Sequence, residues 1–105
     1  MKKTIVNIPS PYGADGFKCT LAVGQYSNGR TSLRLIDAED GMPYATVSVN
    51  FPEVSIPAGY IAIKTWAENI GIYEALLAAG IIAEPISAHS YGAIWAPICK
   101  LLITE

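Results

Sequence analysis

FKCTLAVGQYSNGRTSLRLIDAEDGMPYATVSVN, residues 17–50, is the stretch whose reading decides the fold. Its first nine residues alternate. Phe17, Cys19, Leu21 and Val23 fall on one face, and Lys18, Thr20, Ala22 and Gly24 on the other, which is the period of a half-buried strand. Asn28-Gly29 follows, a dipeptide suited to the positive φ angles of a type I′ hairpin turn. Beyond it Thr31, Leu33 and Leu35 oppose Arg30, Ser32 and Arg34, so the return strand has a dry face and a wet one. DAEDGMP then makes a second turn. Residues 44–50 read as a third strand, with Ala45, Val47 and Val49 set against Thr46 and Ser48. The pattern predicts a three-stranded antiparallel meander.

Working outward, residues 4–8 are a short β-branched run, and PSPYGADG, residues 9–16, is loop by content. Pro52 and Pro57 bracket a connection that cannot be a central strand, and residues 60–64 read as a short strand. TWAENIGIYEALLAAG, residues 65–80, predicts the helix. Thr65 and Glu68 have capping-box spacing, and Ile70, Tyr73, Leu76 and Leu77 fall on one helical stripe facing the sheet. Gly71 inside that helix costs about 1 kcal/mol against Ala, while Gly80 is placed to take the left-handed conformation that ends it. Residues 81–83 suggest a brief strand closed by Glu84-Pro85, and residues 91–103 are apolar enough to pair into the sheet. The expected fold is α+β, one domain over residues 1–105: an antiparallel sheet of about five strands with one α-helix packed on one face.

Composition narrows the function classes. Of 105 residues 51% are hydrophobic and 15% charged, which argues against intrinsic disorder. The formal net charge is −2, and the basic residues are scattered along the chain rather than gathered into a patch, so direct nucleic-acid binding is not expected. No apolar run reaches the roughly 18 residues of a membrane span, since Glu74, Glu84 and Pro85 interrupt the longest. The two N-terminal lysines precede too short an apolar run for a signal peptide before Pro9. A cytoplasmic protein with no membrane partner is expected. Cys19 and Cys99, far apart and without a CxxC or paired histidine, read as buried reduced thiols, with a disulfide between neighbouring strands as the competing reading.

Catalytic chemistry is not apparent. His89 is the sole histidine, and adjacency to Ser90 does not make a nucleophile–base pair, because triads are assembled in space. It reads as a loop histidine before a strand. One His and two distant Cys match no zinc spacing. From Asp37 the sixth position is Met42 rather than the Gly of a calcium loop. No glycine-rich phosphate loop is present, so no catalytic residue, metal or cofactor is expected. Asp37, Glu39 and Asp40 read either as a solvated turn, in which Asp and Gly tolerate unusual backbone angles, or as a negatively charged partner-binding surface. Trp66 and Trp95 read as core, with interface anchors as the competing role.

Tyr26-x-Asn28-Gly29-Arg30, Asp37-x-x-Asp40-Gly41-x-Pro43-Tyr44-Ala45, Val49-Asn50, Lys64-x-Trp66-x-Glu68-Asn69 and Ala79-Gly80-Ile81 together form a pattern across residues 17–85. In it the chain resembles a family of small proteins carried by phages, plasmids and conjugative elements of gut bacteria. The resemblance carries over no enzymatic residue. Proteins of this setting include anti-CRISPR proteins of similar length that act on Cas9. The resemblance therefore implies a non-enzymatic inhibitor of a host defence effector, with Cas9 or its guide-RNA complex as the partner. The alternative it leaves open is an interaction or accessory module of a mobile element with no defence role.

Overall fold

The computed structural model describes residues 5–8 and 16–103. The meander is present: β2 (Phe17–Gln25), β3 (Thr31–Asp37) and β4 (Pro43–Thr46) pair antiparallel in sequence order, and β1 (Ile5–Ile8) adds to the outside of β2. The expected loop over residues 9–15 lies outside the described residues. The α+β class holds, but the strands divide differently from the expected single sheet of about five. After β4 come β5 (Ser48–Val49), β6 (Tyr60–Ile63), β7 (Ser87–Tyr91) and β8 (Ile94–Lys100), which form a second four-stranded antiparallel sheet in the order β5-β6-β8-β7.

Val47 is where the chain leaves one sheet for the other. Its N–H donates to the Leu33 carbonyl at 2.9 Å, and its own carbonyl accepts from the Lys64 N–H at 2.8 Å. One residue thus contributes a ladder bond to each sheet, and it is fully buried. The strand expected over residues 44–50 therefore breaks in two, and Ser48 is not on a wet face. Ser48 is buried because the crossing turns its hydroxyl inward, where it accepts the Leu33 N–H at 2.9 Å. The Tyr26 hydroxyl donates to the Ser48 carbonyl at 3.2 Å and lies 2.9 Å from the Ser48 hydroxyl, completing the polar seam. Without these partners, groups buried at the joint would each cost roughly 1–3 kcal/mol.

The main core lies between the sheets and the helix. Val6, Cys19, Leu33 and Leu35 come from the first sheet, Ile61, Ile63 and Cys99 from the second, and Leu76 from α1 (Ile72–Ala78). Both cysteines are unbridged and buried. The opposite face of the second sheet carries a smaller core, in which Phe51, Ile56 and Trp66 cover Ala62, Ala96 and Ile98. That cover explains why the proline-bracketed connection folds back rather than extending.

The helix is shorter than its sequence suggests. Residues Ala67–Asn69 form one 3-10 turn, and α1 starts only after Gly71, whose φ of 93° is left-handed. The expected capping box does not form: the Thr65 hydroxyl donates instead to the Trp95 carbonyl at 2.5 Å. Ile70 falls before the helix and is exposed, so the buried stripe is Ile72, Tyr73 and Leu76. The helix end is as expected. With Gly80 at φ 75°, the Ile81 N–H bonds the Leu76 carbonyl at 3.0 Å and the Gly80 N–H bonds the Leu77 carbonyl at 3.1 Å. This is the paired 6→1 and 5→2 closure of a Schellman motif, and its apolar contact partners, Ile81 and Leu76, are both buried.

Two further details differ from the sequence reading. The strand suggested at residues 81–83 is a single bridge, Ile82 to Leu101. His89 is not in a loop but in the middle of β7, which turns tightly into β8 at Gly92.

Candidate functional site

The acidic turn is built from the end of β3 upward. The Asp37 N–H donates to the Met42 carbonyl at 2.8 Å, and the Gly41 N–H donates back to the Asp37 carbonyl at 2.9 Å. Closing that loop requires Gly41 at φ 74°, the left-handed region that glycine enters without Cβ strain. Two side chains then fix the interior. Asp37 Oδ1 accepts the Glu39 N–H at 2.8 Å, and Asp40 Oδ1 accepts the Met42 N–H at 2.9 Å. The Ala38 N–H reaches the Lys18 carbonyl of β2 at 2.9 Å and anchors the turn to the sheet.

Of the three carboxylates singled out from sequence, Asp37 is half-buried, while Glu39 and Asp40 are exposed. The structure brings all three into one turn, and two of them hold it in shape as well as charging it. The turn reading is what the geometry describes: a solvated tip, charged at Glu39 and Asp40 and closed by its own hydrogen bonds. Met42, 61% exposed, stands beside them, so the tip combines negative charge with an apolar side chain. Met42 has no signal in the sequence, because a single methionine after a turn carries no periodicity. A groove of about 470 Å³ opens beside the turn and is lined by Gly16, Lys18, Asp37, Ala38 and Glu39.

Electrostatics follow burial. Cys19 pairs across the ladder with Asp37, and its thiol is pushed above its usual range by burial first and by the Asp37 charge second. Cys99 is pushed up to about 11, by burial and then by Glu84. Both thiols are therefore held in the protonated, weakly nucleophilic form at neutral pH. The Tyr44 and Tyr73 hydroxyls are raised as well, each chiefly by burial.

The other sequence candidates lie apart. The His89 ring packs on Phe51, with centroids 4.7 Å apart and tilted at 55°. Trp66 is half-buried in the smaller core, whereas Trp95 is 43% exposed, meeting Tyr73 edge-on at 5.6 Å. Arg30 stands at the far end of β3, where its guanidinium donates to the Phe51 carbonyl at 2.6 Å and the Val54 carbonyl at 2.5 Å. Arg34 is exposed on the outer face of the first sheet. Among the described residues no three His, Cys, Asp or Glu side chains gather as a metal site, and no helix is long and apolar enough to cross a membrane.

Comparison with protein-family models, with curated proteins and with solved structures finds no match to this chain.

Proposed function

We propose that this chain is a non-enzymatic, mobile-element protein that binds and inhibits a host defence effector in the bacterial cytoplasm. The specific case is a CRISPR–Cas9 complex, and the contact is made through the turn carrying Asp37, Glu39 and Asp40. The observation that supports this reading is the set of hydrogen bonds that closes the turn on itself. Exposed carboxylates on a backbone fixed by its own hydrogen bonds lose little conformational freedom on docking. An effector that holds duplex DNA offers a positively charged channel for phosphates, and fixed carboxylates are complementary to it. Met42 adds an apolar contact at the same tip, which suits a protein partner better than bare nucleic acid. The chain acts on protein rather than on nucleic acid or membrane.

The test is a DNA-cleavage assay with purified Cas9 and guide RNA, with the chain added before target DNA. Expected is a dose-dependent loss of cleavage that weakens in the E39Q/D40N variant. Unchanged cleavage at saturating chain, with no effector recovered from the native host by the immobilised protein, overturns the inhibitor reading. Recovery of a partner without loss of cleavage favours the accessory module instead.

A further inference from the structure

The strand edges of the two sheets are treated unequally. Where the first sheet ends at β4 and the second begins at β5, the edges join through Val47, and Asn69 Nδ2 covers the Thr46 carbonyl at 2.7 Å. The outer strand of the first sheet, β1, has the helix α1 packed against it through the main core. At β7 none of this occurs: it is the last strand of the second sheet, and among the described residues no strand pairs with its outer side.

An open edge is normally blunted by a charge, a proline or a bulge. SAHSY, residues 87–91, has no charged residue and no proline, and its five pairs with β8 run from Ser87–Ile98 to Tyr91–Ile94 without a register shift. Ser87, Ala88 and Ser90 are small and exposed, so another backbone can approach to the roughly 4.8 Å of a sheet ladder. Trp95 stands opposite Ser90 on β8, and the small side chain leaves the indole 43% exposed beside that edge.

We propose that β7 is a self-association edge. Two copies pair β7 antiparallel about a two-fold axis through His89, joining their four-stranded sheets into one of eight. Antiparallel self-pairing about this axis sets His89 against its own copy and every other residue against the one equally far on the opposite side, and the strand suits it. Ala88 and Ser90, equally far from His89, would face each other across the axis, with no charge to repel. An isologous contact of this kind closes at two copies. A five-residue edge is only about 17 Å long, so the buried area falls at the low end of specific interfaces and the dimer is weak. The edge belongs to the second sheet and the acidic turn to the first, so loss of either contact leaves the other intact.

Sedimentation equilibrium from roughly 10 µM to 1 mM covers the range expected of so small an interface. The average mass should rise toward twice the chain mass and stop there. The A88K/S90K variant places ammonium groups opposite each other on both sides of the axis and should stay monomeric, as should A88E/S90E. An equimolar mixture of the two should recover the dimer, because each Lys then meets a Glu, and that recovery also shows that both variants fold. A wild-type chain that stays monomeric throughout overturns the proposal. So does a wild type that grows beyond two copies, a lysine variant that dimerises like wild type, or a mixture that stays monomeric.

Discussion

At both ends of β3 the chain reverses over a glycine of positive φ, Gly29 at 86° and Gly41 at 74°. At both, an Asn or Asp side chain accepts a backbone N–H two residues on: Arg30 to Asn28 at one end, Met42 to Asp40 at the other. The glycine and the side-chain acceptor recur, although the Gly29 N–H bonds the carbonyl three residues back, at Tyr26, and the Gly41 N–H the carbonyl four back, at Asp37; the surroundings differ more. The Tyr26–Arg30 turn is tied to the second sheet and its cover, through Tyr26 to Ser48, Asn28 to Asn50, and Arg30 to Phe51 and Val54. The Asp37–Met42 turn is tied to itself and, through Ala38, to the neighbouring β2. A positive-φ glycine beside an Asn or Asp acceptor can thus serve in a joint or in a presented tip. What decides is where the remaining polar groups go.

If that contrast is right, the largest effect belongs to the joint. Replacing Arg30 with Met keeps the stem and removes the donors to two carbonyls, each bond to a charged group being worth about 1.5–3 kcal/mol before discounting for partial exposure. A loss of about 3 kcal/mol is expected in urea unfolding. A loss below about 0.5 kcal/mol, the scatter of ordinary surface changes, would mean that the strap across to the 51–54 loop holds nothing.

Ser48→Ala comes next. It leaves the buried Leu33 N–H without its acceptor and the Tyr26 hydroxyl with the residue 48 carbonyl alone, for about 2 kcal/mol. Tyr26→Phe should cost less, since it spares the Leu33 bond. Equal losses for the two would move the weight of the seam from Ser48 to Tyr26.

Smaller still, Gly29→Ala and Gly41→Ala should each cost about 1 kcal/mol. A Cβ at either position meets nothing within 4 Å, so the cost is backbone strain alone and should be the same at both ends. Chemical denaturation of the two variants side by side reads this directly. A difference above about 1 kcal/mol would show that the cost is set by the rest of each loop and not by the glycine's φ alone.

Sequence reading reached what is fixed locally. The alternation of Phe17 to Gln25 and the αL role of Gly80 depend on near neighbours, and both were legible. The reading of Asn28-Gly29 found the turn but not its form. Asn28 keeps a negative φ, because its side chain accepts the Arg30 N–H, and Gly29 alone takes the bulge position. Thr65 looked like a helix cap, yet its hydroxyl is taken by Trp95, thirty residues on, which no local pattern encodes. Alternation places Ser48 on a wet face because it assumes one continuous sheet, and the chain changes sheets at Val47. Strand β7 left no apolar period at all, since its small residues are exposed. In the acidic turn the charge was legible, whereas the use of Asp37 and Asp40 as turn acceptors was not.

The smallest effect on folding is expected where the largest effect on binding is proposed. Glu39 and Asp40 are exposed, and exposed carboxylates contribute little to stability. Alanine at Asp40 would mix two effects, because its Oδ1 also accepts the Met42 N–H. Asparagine keeps that acceptor and removes the charge, and glutamine does the same for Glu39. The E39Q/D40N variant should therefore unfold within about 0.5 kcal/mol of wild type. Its affinity for a basic effector should fall, and most at low salt, because attraction between unlike charges at the surface is screened within about 10 Å at 0.1 M ionic strength. The measurement is binding of wild type and variant to the same effector at low and at high salt. Parallel salt dependences with equal affinities would detach the turn's charge from recognition and leave Met42 as the part of the tip still to be tested. A variant that loses affinity at low salt and converges with wild type at high salt would establish the tip as an electrostatic contact, with its shape supplied by Asp37 and Gly41.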